Sequence, residues 1–597
     1  MSLTAFTDEP FLRPPSRSVL LAFRALVAVA VIAAVDVAAS LAHARHAGWV
    51  AVGFGLPLGL AAALAVRRVP AELARPGAAS RPMAPVRAGV LLPATAALFL
   101  IALAPLLATR LPPFDDYLNH LARMYVIALG DAPSPLHAFY AIQWKLIPNL
   151  AMDIVVPPLA RAIGIFAAGK AFLIVETLLL LTGPFAIARA MHGQWSLGPL
   201  LATLFVANYI TKMGVVNYQF GVGLALFAIA AWLALRDRPA WLRGIVSCGF
   251  VVALFLSHLV ALGIYGLAIT SIEIARLSSR PTGPRRLMAD AAALLLPFTV
   301  ALPMLAAGWG GGSHDAADPW RWGGIHSRLE GLRMLVEAYA PRLDILFLMG
   351  LAAGLAWAVR WRAVSLPAAG WVFLALGGVT FLVVPNSGLG SWGAAARMPT
   401  GMVFVLCGML RWDLPTARAR SAFLAVLAAL LLFRTATVEA AFLRYDRVVR
   451  DVVTSLPLIR PGSRILVAAD YPGEDMALRA VRQLPSLALI ERASLVSIEY
   501  SNPFGQILVV RPPYRGKTGE TTADPVALPD LLHPPPHDIA PRTLDYAPSG
   551  RIYWRNWPQD YDYVYVMNRR QPGSPDPARL ELIYAGHRVQ LFRVTPG

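Results

Sequence analysis

Long apolar runs separated by short polar breaks fill the first 440 residues of this chain, and the last stretch of roughly 150 mixes short apolar runs with polar ones. A run of about 20 apolar residues is long enough to cross a hydrocarbon core as an α-helix. The pattern predicts about 13 spans: 18–41, 49–66, 88–108, 170–190, 197–213, 216–235, 244–258, 260–277, 288–308, 343–360, 365–384, 398–411 and 420–440. The pair at 244–277 can also be read as one long tilted helix. The segment 150–168 is apolar but carries Asp153, Pro157, Pro158 and Arg161, which suits an amphipathic helix lying at the membrane interface better than a span. Residues 109–169 then form one large loop on a single side, and 309–342 a second, unusually long one.

Loop charge orients this arrangement. Arg67, Arg68, Arg75, Arg81 and Arg87 fall in one loop; Arg189, Arg236, Arg238, Arg243, Arg276, Arg280, Arg285 and Arg286 flank others. Arg360, Arg362, Arg411, Arg418 and Arg420 complete the set. With a cytoplasmic N-terminus all of these lie on the cytoplasmic side, as the positive-inside rule requires. The expected fold class is an α-helical polytopic membrane protein, with residues 1–440 as the transmembrane domain and 441–597 as a small C-terminal periplasmic α/β domain. In that tail Ile465–Ala469, Ile507–Val510 and Tyr563–Met567 read as strands, Leu580–Tyr584 and Val589–Val594 as a closing hairpin, and the Pro-rich 511–550 as a loop.

Composition agrees with this reading. Only 15% of the 597 residues are charged and 57% are hydrophobic, whereas a soluble protein carries about 25% charge. The net charge of +18 resides in the loop arginines. No nucleic-acid-binding motif accompanies it, so no nucleic-acid partner is expected. The abundance of Ala, Arg and Pro points to a bacterial source, hence to the cell inner membrane. Cys248 and Cys407 both sit in apolar stretches, where they read as small membrane-helix residues. The N-terminal apolar run is too long for a cleavable signal.

Candidate chemistry collects where the first large loop begins. Asp115 and Asp116 follow Leu-Pro-Pro-Phe, and Asp116, Asn119, His120 and Arg123 form one stripe of a helix. A carboxylate pair with an imidazole and a guanidinium can deprotonate a hydroxyl and hold a phosphate. The bland alternative is a helix N-cap followed by a solvated face. By span parity Lys212, Asn217, His258 and Arg397 arrive on the same side. Lys212 and Arg397 can instead snorkel to headgroups, and His258 can be a satisfied structural histidine. His314, Asp315 and Asp318 suggest a metal only weakly, because no helix fixes their spacing.

These residues resemble the GT-C superfamily of membrane glycosyltransferases, which use polyprenyl-phosphate sugars. That family has many spans, an acidic motif near the start of a first large extracytoplasmic loop, and often an extracytoplasmic C-terminal domain. Asp115 and Asp116 stand where the motif belongs. The chain departs in having two spans before the one that leads into the loop. The resemblance implies an inverting transfer to an envelope glycan, lipid or protein acceptor on the periplasmic face, with Asp115 as general base. It implies cationic groups that offset the developing phosphate charge, for which Arg123, Lys212 and Arg397 are the candidates; His120, Asn217 and His258 are candidate substrate contacts by their position alone. It leaves open a divalent ion, Mg or Mn, held by Asp115 and Asp116. The rival classes are a transporter or lipid flippase, for which the break near Ser257–His258 argues, and a non-catalytic scaffold for envelope assembly.

Overall fold

A computed structural model describes residues 86–279, 283–309, 322–388, 391–470, 476–501, 505–519, 524–534 and 552–595. The expected spans 18–41 and 49–66, and the residues His314, Asp315 and Asp318, lie outside the described residues. Among those described, eight helices are long and apolar enough to cross a membrane, and the protein is a multi-pass membrane protein. The long helices begin with α1 (Ala88–Ala108). The first large loop then holds α2 (Tyr117–Leu129), the strand β1 (Tyr140–Ile142) and α3 (Ala151–Ile163). α3 is the amphipathic helix expected at 150–168, ended by Gly164 at φ 83°. Its face with Ile154, Val155 and Ile163 points outward, while Met152, Asp153 and Val156 are buried.

The helices α4 (Ile165–His192), α5 (Val216–Ala234), α6 (Ala240–Ser257), α7 (Leu259–Ser279) and α8 (Pro284–Thr299) follow. After Val300 the chain resumes as α9 (Ala301–Trp309). The interruption falls where Pro303 has no N–H for the carbonyl four residues back. Then come α10 (Gly324–Arg333), α11 (Pro341–Arg360), the shorter α12 (Ala368–Val383) and α13 (Ala394–Met409), and α14 (Ala417–Ser455). The pair at 244–277 is a hairpin rather than one tilted helix: Arg243 near its start reaches Glu273 near its end, with His258 at the turn.

One expected span is corrected. Residues 197–213 are not an α-helix but a 3-10 helix over Gly198–Phe205 followed by a short turn at Tyr209–Lys212. The segment still runs the length of the bundle. Gly198 lies against the Trp412 ring at one end, and the Lys212 carbonyl accepts from the Asp115 N–H at the other.

The two ends of the bundle differ. At the end away from Asp115, Arg243 and Arg276 bridge Glu273 and Asp290, tying α6, α7 and α8 together at 2.5–3.4 Å. Trp232 of α5 donates to Glu273 at 3.0 Å. At the same end Val364–Ser365 pairs with Arg411–Trp412, and His192 meets the Met409 carbonyl.

The 440/441 boundary falls inside α14, which has 39 residues. At about 1.5 Å per residue it is nearly twice as long as the ~30 Å hydrocarbon core. Beyond it the tail builds a mixed sheet. β2 (Arg464–Ala469) lies parallel to β3 (Leu495–Val496) on one side and β6 (Tyr563–Met567) on the other. The hairpin β7 (Leu580–Ala585) and β8 (Val589–Val594) adds antiparallel to β6. The strand expected at Ile507–Val510 forms as β4 (Leu508–Val510) but joins a different partner: it pairs antiparallel with β1 of the first large loop. Within the Pro-rich stretch expected as loop, β5 (Val526–Ala527) pairs with β2.

The loop and the tail therefore share one core. Leu118, Leu121 and Met124 of α2, Val448 and Val452 of α14 and Val481, Leu484 and Leu489 of the tail are buried in a single cluster. Asn119 fastens it, donating to the Ile498 carbonyl at 2.8 Å and accepting from the Tyr500 N–H at 3.1 Å.

The β1–β4 register gives a direct check. In a background lacking Cys248 and Cys407, Ala141→Cys with Val509→Cys is expected to oxidise to an intramolecular disulfide, because facing residues of antiparallel strands bring their Cβ atoms within reach. Non-reducing gel mobility reads the product. Ala141→Cys with Val526→Cys should stay reduced, and crosslinking by that pair alone would overturn the register.

Candidate active site

The site is built on backbone before side chains. Asn208 caps the turn Tyr209–Lys212, its side chain accepting from the Ile210 and Thr211 N–H groups. Gly214 then turns the chain at φ 76°, and a Cβ there would lie 3.0 Å from the backbone nitrogens of Asp116 and Tyr117. Only glycine permits that approach without strain. Through it the acidic pair docks on the turn: Asp115 N–H donates to the Lys212 carbonyl at 2.8 Å and Asp116 N–H to the Met213 carbonyl at 3.0 Å.

Neither carboxylate caps α2. Asp116 occupies the N-cap position but its side chain accepts no N–H there, so the capping explanation of the pair does not hold. Asp115 is buried and its Oδ1 has no hydrogen-bond partner. Its Oδ2 lies 3.9 Å from Nε of Arg479. Burial pushes the Asp115 carboxyl up to about 6, against the opposing pull of Arg479, Lys212 and Arg482. Burial and the neighbouring Asp115 push Asp116 up to about 7. A carboxyl in this range is poised to exchange a proton near neutral pH.

Three further sequence-predicted residues gather around the pair. Lys212 is buried beside Asp115, with its Nζ 5.2 Å from the centre of the Tyr209 ring and 5.7 Å from that of Tyr339. The Arg397 charge also acts on Asp116. Its Nη1 is 2.9 Å from Nε2 of His258, whose Nδ1 accepts from the Val260 N–H at the start of α7. Tyr218 fixes this corner by donating to the Arg397 carbonyl at 2.6 Å.

The remaining predicted residues serve the fold around the pair. Asn217 accepts from the Met152 N–H at 2.8 Å and donates to the Asn149 carbonyl at 2.7 Å, joining α5 to the start of α3. Arg123 is fully buried and grips Asp153 with two hydrogen bonds, at 2.8 and 3.2 Å. His120 lies on the same helix, and burial together with Arg123 holds its imidazole well below its usual range. The stripe is thus not a solvated face. Asn119 and Arg123 are spent on packing α2 against the tail and α3.

Sequence reasoning missed the tail's contribution. A 3-10 helix at Met476–Ser486 brings Arg479 to Asp115 and Arg482 to within 3.7 Å of Asp524. The two arginines sit three residues apart, which suggests a shared face, but nothing in their spacing names the acidic pair as their target. Tyr209 and Tyr339 were missed as well; Tyr339 donates to the Pro113 carbonyl at 3.1 Å.

An apolar cavity of about 60 Å³ opens at Phe114 and Lys212, next to the pair. Leu103 and Leu106 of α1, Val206, and Leu431 and Val438 of α14 line its length. Phe114, Lys212 and Tyr339 close the end next to Asp115. It occupies the space between α1, α14 and the tighter 3-10 segment. Arg434 reaches the wall from α14, paired with Asp344 and donating to the Ala207 and Val336 carbonyls.

Among the described residues no group of three or more His, Cys, Asp or Glu is placed to hold a metal. The acidic pair offers two carboxylates; Arg479, Lys212 and Arg482 pull on Asp115, and the Asp524 carboxylate acts on both members of the pair.

No family model matches the chain, and no curated protein matches it. Among solved structures it is similar to ArnT from Cupriavidus metallidurans bound to undecaprenyl phosphate, at 12% identity and a TM-score of 0.48, over 85% of this chain and 98% of that one. A likeness of this degree concerns the overall course of the chain and assigns no residue a role.

The Arg123–Asp153 pair separates packing from substrate contact. Arg123→Ala strands a buried carboxylate and is expected to lower stability by about 3–5 kcal/mol, read as thermal unfolding in detergent. The double variant Arg123→Met/Asp153→Leu should recover most of that loss. A double variant as unstable as the single one would contradict the packing role.

Proposed function

We propose that this protein is an inverting membrane glycosyltransferase that moves a sugar from a polyprenyl-phosphate donor to an acceptor hydroxyl. The observation that carries this reading is a carboxylate pair whose buried member, Asp115, has one unpartnered oxygen and lies beside Arg479, next to an apolar cavity that Lys212 lines. The isoprenoid lies in the groove between α1, α14 and the 3-10 segment, and the phosphate sits at Lys212. Asp115 accepts the proton of the acceptor hydroxyl as its oxygen attacks the anomeric carbon. The bond from that carbon to the phosphate oxygen breaks, the configuration inverts, and the lipid phosphate leaves with the electron pair. The cations then face a growing negative charge, where fixed charges contribute most.

The arginine-rich end of the bundle is cytoplasmic in this reading, and the site and the tail face the periplasm of a bacterial inner membrane. The acceptor is an envelope glycan, lipid or protein. The cations Arg479 and Lys212 beside Asp115 favour catalysis by charges of the protein, so transfer is expected to persist in EDTA. His258 speaks against the transporter reading: it forms the turn of a hairpin at the site end, whereas transporters break helices at the membrane midplane.

Asp115→Asn is expected to lower sugar transfer by ~10²–10⁴-fold, the usual loss of a general base, while thermal unfolding stays unchanged. In the wild type kcat/KM should rise with pH through the range from about 6 to about 7, as the pair gives up its protons. Both are measured by transfer of labelled sugar from a polyprenyl phosphate. Near-normal transfer by Asp115→Asn, with the pH profile intact, would remove the reading.

A further inference from the structure

The proposed reaction accounts for Asp115 and Lys212 but leaves open why the tail sends an arginine into the site. Arg479 has a fixed base. The next residues of its helix, Ala480, Val481 and Leu484, are 2%, 0% and 0% exposed and belong to the core shared with α2 and α14. Its guanidinium is less constrained. The 3.9 Å contact with Asp115 is longer than a hydrogen bond, and the side chain is 22% exposed, against 9% for Arg482. Arg482 is engaged elsewhere, with Asp524. Lys212 approaches Asp115 from the groove and Arg479 from the tail, so the two cations stand on different elements around one carboxylate.

Resting on that functional reading, we propose that Arg479 is a ligand of the donor phosphate supplied by the tail, which rests on Asp115 in the free protein and moves to the phosphate when donor binds. A planar guanidinium offers a phosphate two parallel N–H donors, a geometry that lysine lacks. The exchange has a consequence for the base. While Arg479 faces Asp115 it favours the carboxylate and weakens its pull on a proton. Once the phosphate takes the guanidinium, Asp115 becomes the stronger base, at the moment a donor is present to react. The tail is thereby part of the active site.

The test compares wild type, Arg479→Gln and Arg479→Lys in detergent, with C55 polyprenyl phosphate and the matching polyprenol as binding probes. Wild type is expected to bind the phosphate more tightly than the alcohol, and Arg479→Gln to lose roughly tenfold or more of that preference, the scale of one hydrogen bond to a charged group. In transfer assays the donor KM should rise by a similar factor with a smaller change in kcat. The acid limb of kcat/KM should move to higher pH, because the cation that lowers the Asp115 pKa is gone. Arg479→Lys should keep the limb near its wild-type position and recover part of the KM, which a merely structural role would not separate. An Arg479→Gln protein with unchanged phosphate preference, donor KM and acid limb would overturn the proposal. If Asp115→Asn were inactive in the same assay, the glycosyltransferase reading would stand without it. Full activity of Asp115→Asn would instead remove the reading itself.

Discussion

Two backbone hydrogen bonds, from Asp115 and Asp116 to the carbonyls of Lys212 and Met213, set the position of everything else in the site. They join the start of the first large loop to the end of the 3-10 segment. They also place a buried carboxylate against a buried lysine without asking either side chain to hold the other. Gly214 is the residue that allows the approach. Because the backbone carries the docking, the Asp115 oxygens remain available for chemistry, and one of them is left without a partner inside the protein. A buried acceptor in that state is costly. Such a cost is usually found where function requires it.

Around this joint the loop and the tail fold as one body. α14 carries the chain out of the bundle without a break, β1 pairs with β4, and Asn119 clasps the 498–500 segment. Each contact links residues more than 300 positions apart. The core they enclose holds Ala480, Val481 and Leu484 of the helix that bears Arg479, while Tyr209 and Ile210 of the turn that bears Lys212 are buried in the core of the bundle. The apolar cavity ends at Phe114, Lys212 and Tyr339, next to the acidic pair, and in the proposed reading that is where a lipid-linked phosphate arrives.

Much of this was legible in the sequence, and the losses have physical causes. Apolar run length located the long helices, since it measures what a hydrocarbon core demands. It could not distinguish a 3-10 helix from an α-helix at 197–213, because both bury the same composition. Short apolar runs between polar breaks located β2, β4, β6 and the β7–β8 hairpin, yet gave no sign that β4 leaves the sheet for β1. The polar stripe of α2 was visible, but the partner of each member was not. Arg123 found Asp153 and Asn119 found the tail backbone, while the acidic pair docked on the turn at Lys212 and Met213. Arg479 could not be singled out, as one more arginine in a chain with 53 basic residues.

The central claim is that a lipid-borne phosphate is held between the groove and the acidic pair. The most direct measurement is a cryo-electron microscopy map of the protein with C55 polyprenyl phosphate bound. The expected result is phosphate density between Lys212 and Arg479, beside Asp115, with the chain running between α1 and α14 along Leu103 and Leu431. Lipid density at another face of the bundle, with the space beside Asp115 unchanged, would contradict the account.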